Sequence, residues 1–264
     1  MDLGLQGRVA LVSGGSRGIG RACCEQFAQE GCAVAVVGRT ASSVEATVSH
    51  IREAGGKAIG AIGDMTIESD VQKVVALTKG KLGAPDIVIT NVHGGTPGDV
   101  LSESVEEFRN SFEQLVMSVV YLARATLPGM KVRGWGRLLT LGTAAAKEPA
   151  PGMKLMAANT ARAAVVTLNK QLADEFASDG ITVNTIATGW VGTGHMQDQV
   201  QQIAAARGKD GTEFLQRIAK GVPVGRIAEP SEIASLAVYL CSDRAGYLTG
   251  SLIPADGGAH RSAW

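Results

Sequence analysis

Ser13-Gly14-Gly15-Ser16-Arg17-Gly18-Ile19-Gly20 is the stretch that decides the fold. It follows the apolar run Arg8-Val-Ala-Leu-Val-Ser13 and opens a helical pattern that reaches about Glu30. In that setting each glycine has a physical task. Gly14 permits the tight turn, Gly18 lets backbone approach a pyrophosphate, and Gly20 lets the helix pack close to the strand. The helix start adds free N–H groups and a positive dipole end, which favour phosphate. The spacing is G-x-x-x-G-x-G rather than the G-x-G-x-x-G of many dinucleotide-binding turns. Ser16, Arg17 and Ile19 join Gly14, Gly18 and Gly20 as candidate cofactor-binding residues.

The same unit recurs along the chain. Further short apolar runs lie at 32–37, 57–62, 86–90, 137–141, 181–186 and 251–254, with helical patterns between them. Continuous β-branched runs, rather than polar–apolar alternation, mark strands covered on both faces. Strands alternating with helices predict an α/β fold: a single Rossmann-type domain over residues 1–264, with a doubly wound parallel sheet in three α/β/α layers. Long helices are predicted over about 104–131 and 157–177, and another from near Pro230. One connection breaks the rhythm, between the sixth strand and Pro230, where glycines punctuate residues 192–211. A connection of that length carries function or moves. It is read as a substrate lid at about 190–222.

Bulk properties exclude several classes. Of 264 residues, 45% are hydrophobic, enough for a sizeable core. Lys+Arg and Asp+Glu are both 25, so no basic excess points to nucleic acid. No run of about 18 uninterrupted apolar residues predicts a membrane span, and residues 1–8 carry no secretory pattern. The four cysteines, Cys23, Cys24, Cys32 and Cys241, form no C-x-x-C pair. They are expected to be reduced, mostly buried thiols of a cytoplasmic protein. No metal site is expected.

The second strand ends Val36-Val37-Gly38-Arg39. An acid at its end would hydrogen-bond an adenosine ribose and favour NAD. Glycine stands there instead, and Arg39, with Arg17, is suited to a 2′-phosphate, so the expected cofactor is NADP(H). Asp64-Met65 after the third strand either brackets an adenine or begins a helix cap.

Over nearly its whole length the chain resembles the short-chain dehydrogenase/reductase family. The landmarks are the glycine turn, Asp64, Thr90-Asn91-Val92-His93 where the family has Asn-Asn-Ala-Gly, Gly136-Arg137, Gly180-Ile-Thr-Val-Asn184, Gly189 to Thr193, Pro223-Val-Gly-Arg226 and Asp256-Gly-Gly258. The resemblance implies a cofactor contact by Asn91 and Gly189, and homo-oligomers, tetramers or dimers. The apolar runs 115–122 and 163–168 suit either interfaces or internal core. The resemblance also implies alcohol–ketone oxidoreduction by a tyrosine, with a lysine four residues on, a serine and an asparagine. Here the asparagine position falls on Leu115 and the serine position on Thr143. Counting forward from Thr143 puts the tyrosine and lysine at Met156 and Thr160. Counting back from Gly180 puts them at Ala158 and Arg162, within one continuous helix, and this second alignment is adopted. The three tyrosines are Tyr121, Tyr239 and Tyr247, none near that segment.

The candidate catalytic residues are therefore unusual. Arg162 is a fixed positive charge and a poor proton donor. Thr143 keeps a hydroxyl to orient an acceptor. His93 replaces a family glycine beside the cofactor and offers an imidazole near neutral pH. Asn159 sits on the first turn of the long helix. His195 and Trp190 belong to the lid region. The expected function is hydride transfer from NADP(H) to a small-molecule carbonyl, imine or activated double bond. A silent cofactor-binding homologue, or a lyase or cyclase on the same scaffold, fits the same residues.

Overall fold

A computed structural model describes residues 1–92, 95, 98–149, 154–206, 208 and 210–262. The strands are β1 Val9–Val12, β2 Ala33–Gly38, β3 Lys57–Ile62, β4 Ile87–Thr90, β5 Gly136–Thr143, β6 Ile181–Thr188 and β7 Leu252–Ala255. They form one seven-stranded sheet in the order β3-β2-β1-β4-β5-β6-β7. Every pairing is parallel. The chain winds outward from β1 to β3, returns past β1 and continues to β7. The expected doubly wound sheet is present, and each observed strand lies within about two residues of its predicted limits.

Alternate strand residues feed two cores. Ala10, Val12, Val34, Val36, Ile87 and Ile89 pack against Cys23, Cys24 and Phe27 of α1 (Gly18–Gln29), Val44, Val48 and Ile51 of α2 (Ala41–Glu53), and Ile233 and Ala237 of α9 (Pro230–Leu240). Leu11, Val37, Val88 and Leu138 face the other way, onto Val71 and Val74 of α3 (Glu68–Lys81) and Leu122, Leu127 and Met130 of α5 (Ser118–Arg133). Covering both faces explains why the strands read as unbroken apolar runs. All four cysteines are buried and free. Burial pushes the Cys23 and Cys32 thiols up to about 12, so they pack as small hydrophobes.

The predicted helix over 104–131 contains a break. α4 (Val105–Phe112) passes through a π-helical turn, Glu113–Met117, before α5 resumes. Among the described residues, Val105–Arg133 is the one helical run long and apolar enough to cross a membrane. Its inner residues Leu115, Val119 and Leu122 are buried within this chain. The predicted lid connection also differs from expectation. It holds two helices, α7 (Gly194–Ala206) and α8 (Gly211–Gly221). Thr193 caps α7, its Oγ1 accepting from Met196 N at 3.2 Å. Asp210 caps α8 through Thr212 N and Glu213 N. The glycines that read as loop are helix boundaries. The excursion is pinned at its base, where Gly192 N and Ala228 O meet at 2.8 Å, and Ala228 N and Trp190 O at 3.0 Å.

A polar row crosses the middle of the sheet. Thr90, Thr140 and Thr185 stand in register on β4, β5 and β6. Thr90 Oγ1 donates to Thr140 Oγ1 at 2.8 Å. Asn169, on α6 (Met156–Phe176), donates through Nδ2 to both Thr140 Oγ1 and Thr185 Oγ1 at 2.8 Å. Asn169 is 2% exposed, so these bonds stand in for water at its Nδ2, while its Oδ1 has no partner among the described residues. Asn169→Ala removes both bonds and opens a cavity. It is expected to lower stability by about 2–4 kcal/mol, measured by urea unfolding.

Candidate active site

The sheet order reverses between β1 and β4, so the crevice beyond their carboxyl ends is open to a ligand. Glycine is required there on two counts. Gly14 and Gly18 have φ of 61° and 55°. A Cβ on Gly14 would lie 2.5 Å from Asn91 O, and one on Gly20 would lie 2.2 Å from Gly14 O. The turn is thus pressed between β4 and α1 with no room for a side chain. Gly14, Ser16, Arg17, Gly18, Ile19 and Asn91 all line the crevice. Gly20 sits behind the turn, where it permits close packing rather than ligand contact. Above the turn, a Cβ on Gly18 would lie 3.1 Å from Thr193 Cγ2. The lid therefore starts directly over the α1 N-terminus, and Gly194 and His195 at the start of α7 line the same crevice.

At the β2–β3 side the crevice wall is Gly38, Arg39, Asp64 and Met65. A Cβ on Gly38 would lie 3.0 Å from Ser16 Oγ and 2.9 Å from Val44 Cγ2, so this strand end stays bare. Arg39 is exposed and its Nη1 lies 3.5 Å from Asp64 Oδ2. Asp64 Oδ1 accepts from Thr66 N and Thr66 Oγ1 at 3.0 and 2.8 Å. The expected helix cap is absent: Asp64 closes a turn with Thr66, and α3 begins at Glu68 after Ile67. Met65 is 4% exposed and presents its side chain edge to the wall.

At the opposite end stand Thr143, Asn159, Arg162, Gly189, Trp190 and His195. Thr143 closes β5, with its Oγ1 accepting from Ala145 N at 3.3 Å. Asn159 is 9% exposed, and its Oδ1 is buried with no partner among the described residues. An orphaned acceptor in a crevice wall is the mark of a site that a ligand donor completes. Burial pushes the Arg162 guanidinium below its usual value. Burial, then the charge of Arg17, pushes the His195 imidazole down; Arg162 adds to this and Asp198 opposes it. His195 is therefore held towards its neutral form. Leu115 lies on the π-helical turn and faces the crevice. His93 lies outside the described residues.

Ala158, the position matched to the family tyrosine, is fully buried. The β4–α4 connection crosses it. Gly98 N donates to Lys154 O at 2.7 Å, Glu103 Oε2 accepts from Ala157 N at 3.2 Å, and Lys154 Nζ meets Asp99 Oδ2 at 2.6 Å. A Cβ on Gly95 would lie 2.4 Å from Ala158 Cβ. None of the three tyrosines lines the crevice as described.

The structure adds wall residues that sequence reasoning did not assign. Thr193 is the cap over the glycine turn. Glu148, Asp256 and His260 lie where the carboxyl-terminal segment folds back on the β5–α6 connection. Glu148 accepts from Arg261 N at 3.0 Å and Ser262 N at 3.3 Å. Only the Asp-Gly-Gly landmark at 256–258 hinted at this corner. The whole crevice measures about 1310 Å³, room for a dinucleotide and a small acceptor together.

A family model described as enoyl-(acyl carrier protein) reductase matches residues 14–260. The short-chain reductase protein NovJ of Streptomyces niveus is 34% identical over 253 residues, 96% of this chain and 94% of that protein. The 3-oxoacyl-[acyl-carrier-protein] reductase FabG of Haemophilus influenzae is 30% identical over 258 residues, 98% of this chain and all of that protein. Among solved structures, L-sorbose reductase from Gluconobacter frateurii, complexed with NADPH and L-sorbose, superposes with a TM-score of 0.92 at 32% identity, covering 98% of both chains. The chain belongs to the short-chain dehydrogenase/reductase family.

The packing at Ala158 is directly testable. Ala158→Tyr forces a ring against the Gly95 backbone, so overpacking is expected to lower stability by about 1–3 kcal/mol in urea unfolding.

Proposed function

We propose that this family member is an NADP(H)-dependent oxidoreductase that transfers hydride to a carbonyl, imine or activated double bond, with a site lacking the usual tyrosine–lysine pair. The observation that carries this reading is one continuous crevice joining Arg39 and the glycine turn to Thr143, Asn159 and Arg162. The bare Gly38, the pressed Gly14 and the orphaned Asn159 Oδ1 fit a dinucleotide. The reductase relatives, and the NADPH in the L-sorbose reductase structure, support the same cofactor.

Bound NADPH supplies a hydride from its nicotinamide ring. The chain's own residues do the rest. Backbone N–H groups of the turn and the start of α1 hold the pyrophosphate. Arg39 exchanges Asp64 for a 2′-phosphate, a charge-assisted contact that NADH cannot make. Asn159 Oδ1 accepts from a ribose hydroxyl. Arg162 sets a fixed positive charge beside the nicotinamide ribose, and Thr143 orients the acceptor with its hydroxyl. Residues 190–222 act as the lid that excludes water from the reacting atoms.

The test is NADPH consumption against a panel of ketones, imines and enones, with NADPH and NADH affinities measured in parallel. Turnover of at least one acceptor is expected. Tight NADPH binding with no turnover of any class rejects the reductase reading, and leaves a silent homologue or a non-redox enzyme. Arg39→Ala is expected to weaken NADPH by about 10–100-fold and to leave NADH nearly unchanged. Equal losses for both cofactors would reject the 2′-phosphate assignment.

A further inference from the structure

Beyond β7 a carboxylate–imidazole pair enters the same crevice. Thr143 pairs in register with Thr188, and Thr188 with Ala255. Asp256 follows directly, so it stands at the carboxyl edge about two strand spacings, roughly 10 Å, from Thr143. Its neighbour across the edge is Gly189, where a Cβ would lie 2.7 Å from Asp256 Cα. The Asp256 side chain is 3% exposed. Its Oδ1 accepts from Gly258 N at 3.0 Å, and its Oδ2 accepts from His260 N at 2.9 Å. The same Oδ2 lies 2.7 Å from His260 Nδ1. Burial works to raise this carboxyl, but the His260 and Gly258 hydrogen bonds outweigh it and hold it below the usual range. Asp256 is thus a charged acceptor, and it holds the proton of the ring on Nδ1.

The other ring nitrogen has no hydrogen-bond partner among the described residues, and the imidazole lines the crevice. The tail that carries it is anchored on Glu148. A buried carboxylate on Nδ1 of an imidazole that lines a cavity is the arrangement of a general acid–base. Arg162, a guanidinium, is a poor proton donor for that task.

We propose that His260, oriented by Asp256, is the acid that protonates the acceptor. The proposal rests on the reductase reading above. As hydride adds to the acceptor carbon, the C=O π pair moves to oxygen, and the N–H bond at His260 Nε2 breaks to give the O–H bond. The oxidised nicotinamide cofactor leaves, and the neutral ring regains a proton from water. In the reverse direction the neutral Nε2 takes the proton of the alcohol. Asp256 is a positioning residue. The other ionisable residues lining the crevice are Glu148 and Arg261 by the tail, Arg162 on α6, His195 and Asp198 on α7, Glu107 on α4, and Arg17, Arg39 and Asp64 at the phosphate end. The segment after α8 brings only apolar Val222, Pro223 and Val224 against Gly257 and Gly258.

The test starts with the wild-type protein and NADPH. Its kcat/KM for reduction is expected to fall as pH rises through the ring pKa of His260, read independently by NMR of labelled histidine. His260→Gln is expected to lower kcat by about 10²–10⁴-fold and to abolish that limb, with the NADPH dissociation constant within about twofold. Asp256→Asn should lower kcat while leaving the NADPH dissociation constant within about twofold, since it removes the acceptor that fixes the ring. A purely structural clamp would lower Tm in both variants and leave the limb in place. His260→Gln with unchanged kcat, or a ring that titrates apart from the limb, overturns the role while the reductase reading stands. Wild-type protein that binds NADPH but reduces nothing overturns both, before any variant is made.

Discussion

The hydrogen bonds from Asn169 to the threonine row of β5 and β6 set the geometry on which the rest of the site depends. Ala158, Arg162, Val165, Asn169 and Ala173 recur at the three- and four-residue spacing of one helix face. Asn169 fixes the middle of that stripe to the sheet. Two turns earlier, Arg162 lines the crevice that Thr143 also lines. A helix held only by apolar contacts can slide or roll at small cost. Two hydrogen bonds from one buried amide to two hydroxyls favour one register, because any other breaks both.

The two ends of the crevice are built in different ways, and that decides what was legible. The phosphate end is local in sequence. One turn supplies Gly14, Ser16, Arg17, Gly18 and Ile19, and the steric demand on Gly14 and Gly20 is written in the residues themselves. Arg39 after a bare strand end was equally readable. The parallel sheet followed from runs of Val, Ile and Ala with no polar face. The chemical end is assembled from afar. The tail that carries His260 meets Glu148 through Arg261 and Ser262, across more than a hundred residues, and no short motif announces such a meeting.

Other features stayed hidden for local reasons. Thr90, Thr140 and Thr185 look like ordinary β-branched strand residues, because pairing between hydroxyls leaves no periodic trace. The two lid helices were read as loop because their bounding glycines outweighed a weak helical pattern. Capping by Thr193 and Asp210 shows that those glycines mark where helices begin and end. The π-helical turn at Glu113–Met117 inserts one residue into a helix whose composition is unremarkable, so the 3.6-residue period alone could not reveal it.

The sheet order also imposes a chronology on the molecule. β1 sits at the centre, and β2, β3 and β4 are its neighbours or next neighbours, so the phosphate-binding half is encoded within the first third of the chain. β7 leaves the ribosome after the other six described strands and docks on an edge, with Asp256 immediately behind it. A nascent chain folding from its amino terminus gains its grip on a dinucleotide early and its final wall late. Synthesis itself then separates the ability to hold a reactive cofactor from the ability to enclose a substrate, and the second arrives only after β7 and the segment behind it have been made.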